Sequence, residues 1–295
     1  MTDQGTTARV TAGFGRNYLV EDTSGVGRLA TRRGKRSDII VGDRVRLTLD
    51  PSGHAVIEDA LPRASVLMRA EGAREKTLAA NIEQIAIVFA ARPTFNPHFV
   101  WRALLAAHGA GIDVLAILNK NDLPDIAPAR AFLSQLAGLG YRTLEVAAKA
   151  AASETRESLT QVLRDRNTLL VGQSGMGKST LLNLLVPDAG ARTQEFSLRL
   201  NLGKQTTSSS RWFRLPGGGA LVDSPGFQSF GLRHLDARGV AGAMPDLART
   251  AGQCRFADCR HLDEPDCAVR AALAQGEVDP ARYAFYRQVM AEVRG

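Results

Sequence analysis

A chain of 295 residues with 44% hydrophobic content has material for more than one packed core, which excludes wholesale disorder. Its 37 Lys and Arg against 30 Asp and Glu give a formal charge of +7, which favours polyanionic partners and says nothing about fold. The longest apolar runs, such as Ile85 to Ala91 and Val114 to Leu118, fall far short of the roughly 20 residues of a membrane span. The polar Met1 to Arg9 lacks a signal-peptide core, so the expected location is the cytoplasm.

Residues 1–62 carry short β-branched runs, Val10 to Ala12, Tyr18 to Val20 and Val45 to Leu49, separated by Gly-rich turns at 13–15, 25–27 and 50–53. This spacing predicts a small all-β barrel or sandwich. Between two of its strands, Arg28, Arg32, Arg33, Lys35 and Arg36 predict a basic loop, whose bland alternative is a solvated surface. From residue 82 apolar runs alternate with helical segments, among them Ile85 to Ala90, Phe99 to Ala107, Val114 to Leu118, Ala129 to Leu136, Leu169 to Val171 and Lys178 to Leu185. Such alternation predicts a mostly parallel sheet covered on both faces. Ligands of these sheets bind beyond the carboxyl ends of the strands. Residues 236–295 read as short helices around a Cys/His cluster, closed by an amphipathic helix over Tyr283 to Val293.

The charge is uneven: 9 basic and 8 acidic residues in 1–62, 20 and 13 in 63–235, and 8 and 9 in 236–295. Of the basic residues 31 are Arg and 6 are Lys. Arg suits bidentate phosphate contact, although usage alone does not separate this from the coding bias of a GC-rich genome.

Gly172-Gln173-Ser174-Gly175-Met176-Gly177-Lys178-Ser179 matches G-x-x-x-x-G-K-[ST] between an apolar strand and a helix opening near Thr180. Backbone N–H groups of such a loop turn inward around phosphate oxygens, Lys178 reaches the β and γ phosphates, and Ser179 can ligate Mg²⁺. Asp223-Ser224-Pro225-Gly226 follows Ala220 to Val222, where Asp223 can hold Mg²⁺ through water and Gly226 can meet a γ-phosphate. Asn119-Lys120-Asn121-Asp122 ends the run Ile112 to Leu118 and resembles the guanine-recognition element of GTPases. There a carboxylate accepts two hydrogen bonds from the guanine edge, which adenine cannot supply.

The order of these motifs, base recognition first and the phosphate and Mg²⁺ loops after it, inverts that of ordinary GTPases. A circular permutation preserves the packing when termini lie close together. Cys254, Cys259, His261 and Cys267 supply three thiolates and an imidazole, which suits one closed tetrahedral Zn²⁺ of structural rather than catalytic kind. A short module with few large apolar residues gains most from such a staple. Scattered thiols and a surface His are the alternative on spacing alone.

Together these residues resemble the ribosome small-subunit-dependent GTPase A family. The resemblance rests on Val41-Gly42-Asp43-Arg44-Val45, Pro62-Arg63-Ala64-Ser65, Ala79-Ala80-Asn81-Ile82-Glu83-Gln84, Asn119 to Asp122, Gly172 to Thr180, Asp223 to Gly226, and Cys254 to Cys267 continuing into Ala268-Val269. It implies a multidomain α/β protein: an N-terminal OB-fold over 1–62, a circularly permuted GTPase domain over 63–235 and a mainly helical zinc module over 236–295. It implies a GTP hydrolase that binds the small ribosomal subunit late in maturation and turns over faster there. Implied partners are that subunit, its ribosomal RNA, contacted through Arg28 to Arg36, and GTP or GDP; the expected state is a monomer away from membranes.

By the same resemblance Gly203 to Ser208 is the first switch, with Thr207 joining Ser179 and Asp223 around Mg²⁺. Gln205 stands where many members carry a His implicated in hydrolysis. It can orient water but cannot act as a titratable base near neutral pH. Lys178, Gln205 and Thr207 are thus the candidate catalytic set. Ala147-Ala148-Lys149 occupies the place of a further guanine contact, through main chain alone. Phe227 replaces a water-positioning Gln, which predicts slow intrinsic turnover needing outside help. Two rival readings are a passive RNA-binding module that retains guanine nucleotide, and a GTP-dependent enzyme of small metabolites.

Overall fold

The computed structural model describes residues 6–32, 38–71, 74–187, 189, 210–225 and 227–294. The first five strands are β1 (Thr6–Phe14), β2 (Asn17–Asp22), β3 (Gly27–Arg32), β4 (Arg44–Leu49) and β5 (Ala55–Ala60). Pairing runs β1-β2-β3-β5-β4 and returns from β4 to β1, so the sheet closes into the five-stranded barrel of an OB fold. Alternate residues point inward, and Val10, Val20, Ala30, Val45 and Ile57 fill the interior. One expectation is corrected: Arg28 and Arg32 lie within β3, not in a loop, because β3 pairs with β2 on one side and β5 on the other.

A hairpin, β6 (Val66–Glu71) and β7 (Arg74–Ala80), follows as a separate two-stranded sheet. Then come β8 (Gln84–Phe89), α1 (Pro97–Gly109), β9 (Asp113–Leu118), α2 (Ala127–Gly138), β10 (Arg142–Glu145), α3 (Ala152–Leu163), β11 (Asn167–Val171), α4 (Lys178–Leu185), β12 (Arg211–Arg214) and β13 (Ala220–Asp223). The sheet order is β10-β9-β8-β11-β13-β12. The first five of these run parallel, and β12 joins antiparallel. Every residue of β8 is buried, as the continuous apolar run Ile85 to Ala90 requires of a strand covered on both faces. The strand ends at 119, 147, 172 and 223 therefore all face one rim.

Barrel and sheet meet at a polar seam. Asp43 has no solvent exposure; it accepts from Arg63 Nε and Nη2 at 2.7 and 2.8 Å and from the backbone N of Ile40. Asn81 Nδ2 donates to Gly42 O at 2.9 Å, and Asn81 Oδ1 accepts from Ala64 N. Gly42, at φ 91°, would place a Cβ 2.0 Å from Ala80 O; only glycine fits there. These are the residues of Val41 to Val45, Pro62 to Ser65 and Ala79 to Gln84 that carried the resemblance, and their physical work is joining two domains. Arg63→Ala leaves a buried carboxylate without its cation, which costs about 3 kcal/mol. Denaturant unfolding should report that loss, with the double variant Asp43→Asn, Arg63→Met recovering most of it; equal stability of Arg63→Ala and the parent chain refutes the assignment.

The C-terminal segment forms α5 (Ala237–Gly242), α6 (Pro245–Ala251), α7 (Ala268–Ala274) and α8 (Pro280–Arg294). One arginine fork and one arginine–tryptophan contact fasten it to the sheet domain. Arg102 of α1 grips Glu292 at 2.7 and 2.5 Å, and Arg282, paired with the buried Asp246 at 2.5 and 2.7 Å, lies 5.6 Å from the centre of the Trp101 ring. No helix among the described residues is long and apolar enough to cross a membrane.

Candidate nucleotide and metal sites

The glycine-rich loop leaves β11 at Gly172 and enters α4 at Lys178. Gly177 sits at φ 97°, and a Cβ there would lie 2.2 Å from Asn119 Nδ2. The glycine thus serves two ends, a left-handed turn into the helix and room for the neighbouring loop. Met176, 1% exposed, anchors the loop from below, while Ser174 and Ser179 remain exposed. Lys178 Nζ donates to Gly172 O and Gln173 O at 2.6 and 2.9 Å, arching back over the loop where a polyphosphate would lie.

The Asn119 to Asp122 loop is bonded directly to this cradle. Asn119, 1% exposed, donates from Nδ2 to Met176 O at 3.0 Å and accepts at Oδ1 from Ala148 N at 3.2 Å. Lys120 Nζ donates to Gly175 O at 2.7 Å. A backbone bond from Asn121 N to Val146 O, 3.1 Å, joins the base loop to the end of β10. One buried amide, that of Asn119, therefore ties together three loops that lie far apart in sequence: Asn119 to Asp122, Ala147 to Lys149 and Gly172 to Gly177. Asp122 and Lys149 are exposed beside them, and Ala147 and Ala148 are buried, presenting main chain only.

Asp223 ends β13 on the same rim. Burial pushes its carboxyl above the usual range, and the Lys178 ammonium, then the Ser224 backbone N–H and then Arg211 pull it back. Burial likewise lowers Lys178, with Asp223 opposing. A half-buried cation and anion of this kind form a charged floor suited to phosphate and a divalent metal. Gln205, Thr207 and Gly226 lie outside the described residues.

A fourth element was not legible as a motif. The turn after β8 places Pro93 against Gly175, and Asn96 N donates to Gln173 Oε1 at 2.6 Å, so the lead-in to α1 buttresses the glycine-rich loop.

At the far end of the chain, the ligand atoms of Cys254, Cys259, His261 and Cys267 all lie within 4.8 Å of one another. Cys254 Sγ and Cys267 Sγ are 3.9 Å apart, and His261 Nδ1 is 3.4 and 3.5 Å from them. A disulfide needs sulfurs about 2.05 Å apart, whereas a tetrahedron of zinc–sulfur bonds near 2.3 Å has edges of roughly 3.8 Å. The donor set fits one closed tetrahedral ion. Burial chiefly, then the neighbouring thiols Cys267 and Cys254, push the Cys259 thiol up to about 12, the condition a bound cation relieves. Tyr283 and Tyr286 of α8 clamp the loop, donating to His261 O and Arg260 O at 2.7 Å each.

Of the candidate RNA contacts, Arg28 is exposed on β3 and Arg32 is engaged by Asp38. Arg33, Lys35 and Arg36 lie outside the described residues.

Comparison with known proteins agrees with this geometry. A protein-family model described as RsgA GTPase matches residues 60–233. A "Small ribosomal subunit biogenesis GTPase RsgA" of Bordetella pertussis is 45% identical over 285 residues, covering 96% of this chain and 95% of the relative. Its namesake from Burkholderia pseudomallei is 43% identical, covering 96% and 91%. Among solved structures, YjeQ from Thermotoga maritima is 27% identical, with a TM-score of 0.74 over 98% of this chain and 99% of that one. YloQ, described as a circularly permuted GTPase, shares the fold at 22% identity and a TM-score of 0.73, over 100% and 97%.

Proposed function

Because the chain belongs to the RsgA GTPase family, we propose that it couples hydrolysis of GTP, to GDP and phosphate, to late maturation of the small ribosomal subunit, with turnover stimulated by that subunit. The work is done in the cytoplasm by a monomer. The observation that carries the reading is the Asn119 bridge from the base loop to Met176 O of the phosphate loop, which supports one guanine nucleotide spanning both.

Asp122 accepts from the guanine edge, with Asn119 and Lys120 holding its loop to the phosphate cradle and Asn121, Ala147, Ala148 and Lys149 closing around the base. Backbone N–H groups of Gly172, Gln173, Ser174, Gly175, Met176 and Gly177 surround the phosphates, and Thr180 extends the cradle into the helix. Lys178 exchanges its carbonyl partners for phosphate oxygens. Ser179, Thr207 and Asp223 are the residues to hold Mg²⁺, which when bound neutralises charge on the β and γ phosphates. Gly226 meets the γ-phosphate, and Gln205 orients the attacking water. Cys254, Cys259, His261 and Cys267 hold a structural zinc ion, and the basic residues Arg28 to Arg36 meet ribosomal RNA.

Phe227 packs edge-on against Phe230, with ring centres 4.6 Å apart, and cannot polarise water, so intrinsic turnover is slow. Phosphate release measured with and without purified small subunits tests the reading. Stimulation of about tenfold or more is expected. No turnover in either condition would make the chain a passive RNA-binding module, and dependence on a small metabolite would make it a metabolic enzyme.

A further inference from the structure

At the end of the sheet opposite the nucleotide loops, a cleft of about 310 Å³ opens between the barrel and the sheet domain. Its walls include Arg9 of β1, Arg44 of β4, Trp212 and Arg214 of β12, and Asn167 at the start of β11. Arg9 and Arg44 are directly opposite each other across the β1–β4 ladder, an arrangement of like charges that destabilises a sheet. Arg9 makes one hydrogen bond, to Gly42 O at 2.8 Å, and neither guanidinium forms an ion pair among the described residues. The acidic residues lining the cleft are already engaged. Glu21 binds Arg214 at 2.5 Å, and Asp22 caps the turn at Ser24 and Val26.

Trp212, 8% exposed, forms part of the wall, and its buried indole N–H has no partner among the described residues. Two guanidinium groups facing one cleft, neither held in an ion pair, are the complement of an oxyanion. We propose that this cleft is a phosphate-binding site distinct from the nucleotide site, and that its occupant is the phosphodiester backbone of an RNA. The phosphate chemistry stands on the cleft alone; the choice of RNA rests on the reading that the chain works on a ribosomal subunit, and on a cleft that opens along the surface seam, where a continuous strand can pass. Burial and then the Arg44 charge lower the basicity of Arg9, against the pull of Glu83 and Asp43.

The chain has two tryptophans, so the Trp212 indole N–H is a resolvable reporter in ¹⁵N-labelled full-length protein, assigned with Trp212→Phe. The titrants are a six-residue oligouridylate without terminal phosphates, inorganic phosphate, and sodium chloride at matched ionic strength. A saturable shift with the oligouridylate that spares Trp101, and is weakened about tenfold in Arg44→Gln, is the expected result. Arg44 is exposed and its side chain makes no hydrogen bond among the described residues, so this variant keeps the fold, which an unchanged melting curve checks. Saturation by inorganic phosphate alone would support the phosphate site and overturn RNA as its occupant. No saturable shift beyond that of sodium chloride, or equal shifts in Arg44→Gln and the parent chain, would overturn the site.

Discussion

Replacing Asp122 with Asn is expected to lower affinity for GTP on the order of a thousandfold and to raise affinity for xanthosine triphosphate. The carboxylate accepts twice, matching two N–H donors on the guanine edge. The amide accepts once and donates once, which suits a base carrying a carbonyl where guanine has its amino group. A buried donor left facing a donor loses its bond and keeps its desolvation cost, so the change is large although one atom differs. Asp122 is exposed, and its side chain makes no hydrogen bond among the described residues. The loop is instead held by Asn119, by Lys120 and by the backbone of Asn121, so the exchange leaves the architecture intact. Competition between GTP and xanthosine triphosphate for a fluorescent guanine nucleotide measures both affinities. An Asp122→Asn variant that retained the parent preference would remove the base from this loop, and with it the single-nucleotide reading of the rim.

What the sequence made legible follows from how local each signal is. Strands buried on both faces need unbroken apolar runs, so β8 and β9 were readable from Ile85 to Ala90 and Val114 to Leu118. Phosphate loops need glycines at fixed offsets, so Gly172 to Ser179 declared itself together with its strand and helix. The hairpin β6–β7 was not readable, because Arg69, Arg74, Glu75 and Lys76 dilute any alternation. Its place is set by distant partners, with Ala80 N bonded to Val41 O and Ala70 N to Ser229 O. Arg28 and Arg32 looked like a loop because charge masked the strand that two neighbouring strands impose. The Asp43–Arg63 pair spans 20 residues, and no period or spacing rule connects them. The motifs were visible as separate pieces; that one amide, Asn119, binds three of them is a property of the packing.

Removing the metal from the Cys254, Cys259, His261 and Cys267 cluster should unfold the C-terminal module while the barrel persists. Apart from the cluster, the loop from Gly252 to Cys267 is held by the buried Leu262, by Glu264 accepting from the backbone of Arg260, Leu262 and Asp263, by the exposed Arg255–Asp266 pair, and by two tyrosine bonds from α8, at about 1 kcal/mol per hydrogen bond. Structural zinc sites in small domains contribute on the order of 10 kcal/mol to folding, so the ion outweighs every other contact in that segment. Cys267 also stands at the N-cap position of α7, without a side-chain capping bond, so a ligand lost there frees the start of a helix as well. The expected results are one equivalent of zinc in the purified chain, none in Cys267→Ser, and a fall in helical signal on chelation that zinc restores. Because three thiols must shed protons to bind, chelation should complete faster at pH 6 than at pH 8. The consequence extends inward, since Arg282 and Glu292 of α8 hold Trp101 and Arg102 of α1, and α1 follows the turn that supports Gln173 and Gly175. Guanine-nucleotide affinity should therefore weaken by about tenfold in the zinc-free protein. A zinc-free chain that keeps its helical content and its nucleotide affinity would show that the four side chains are neighbours without being ligands.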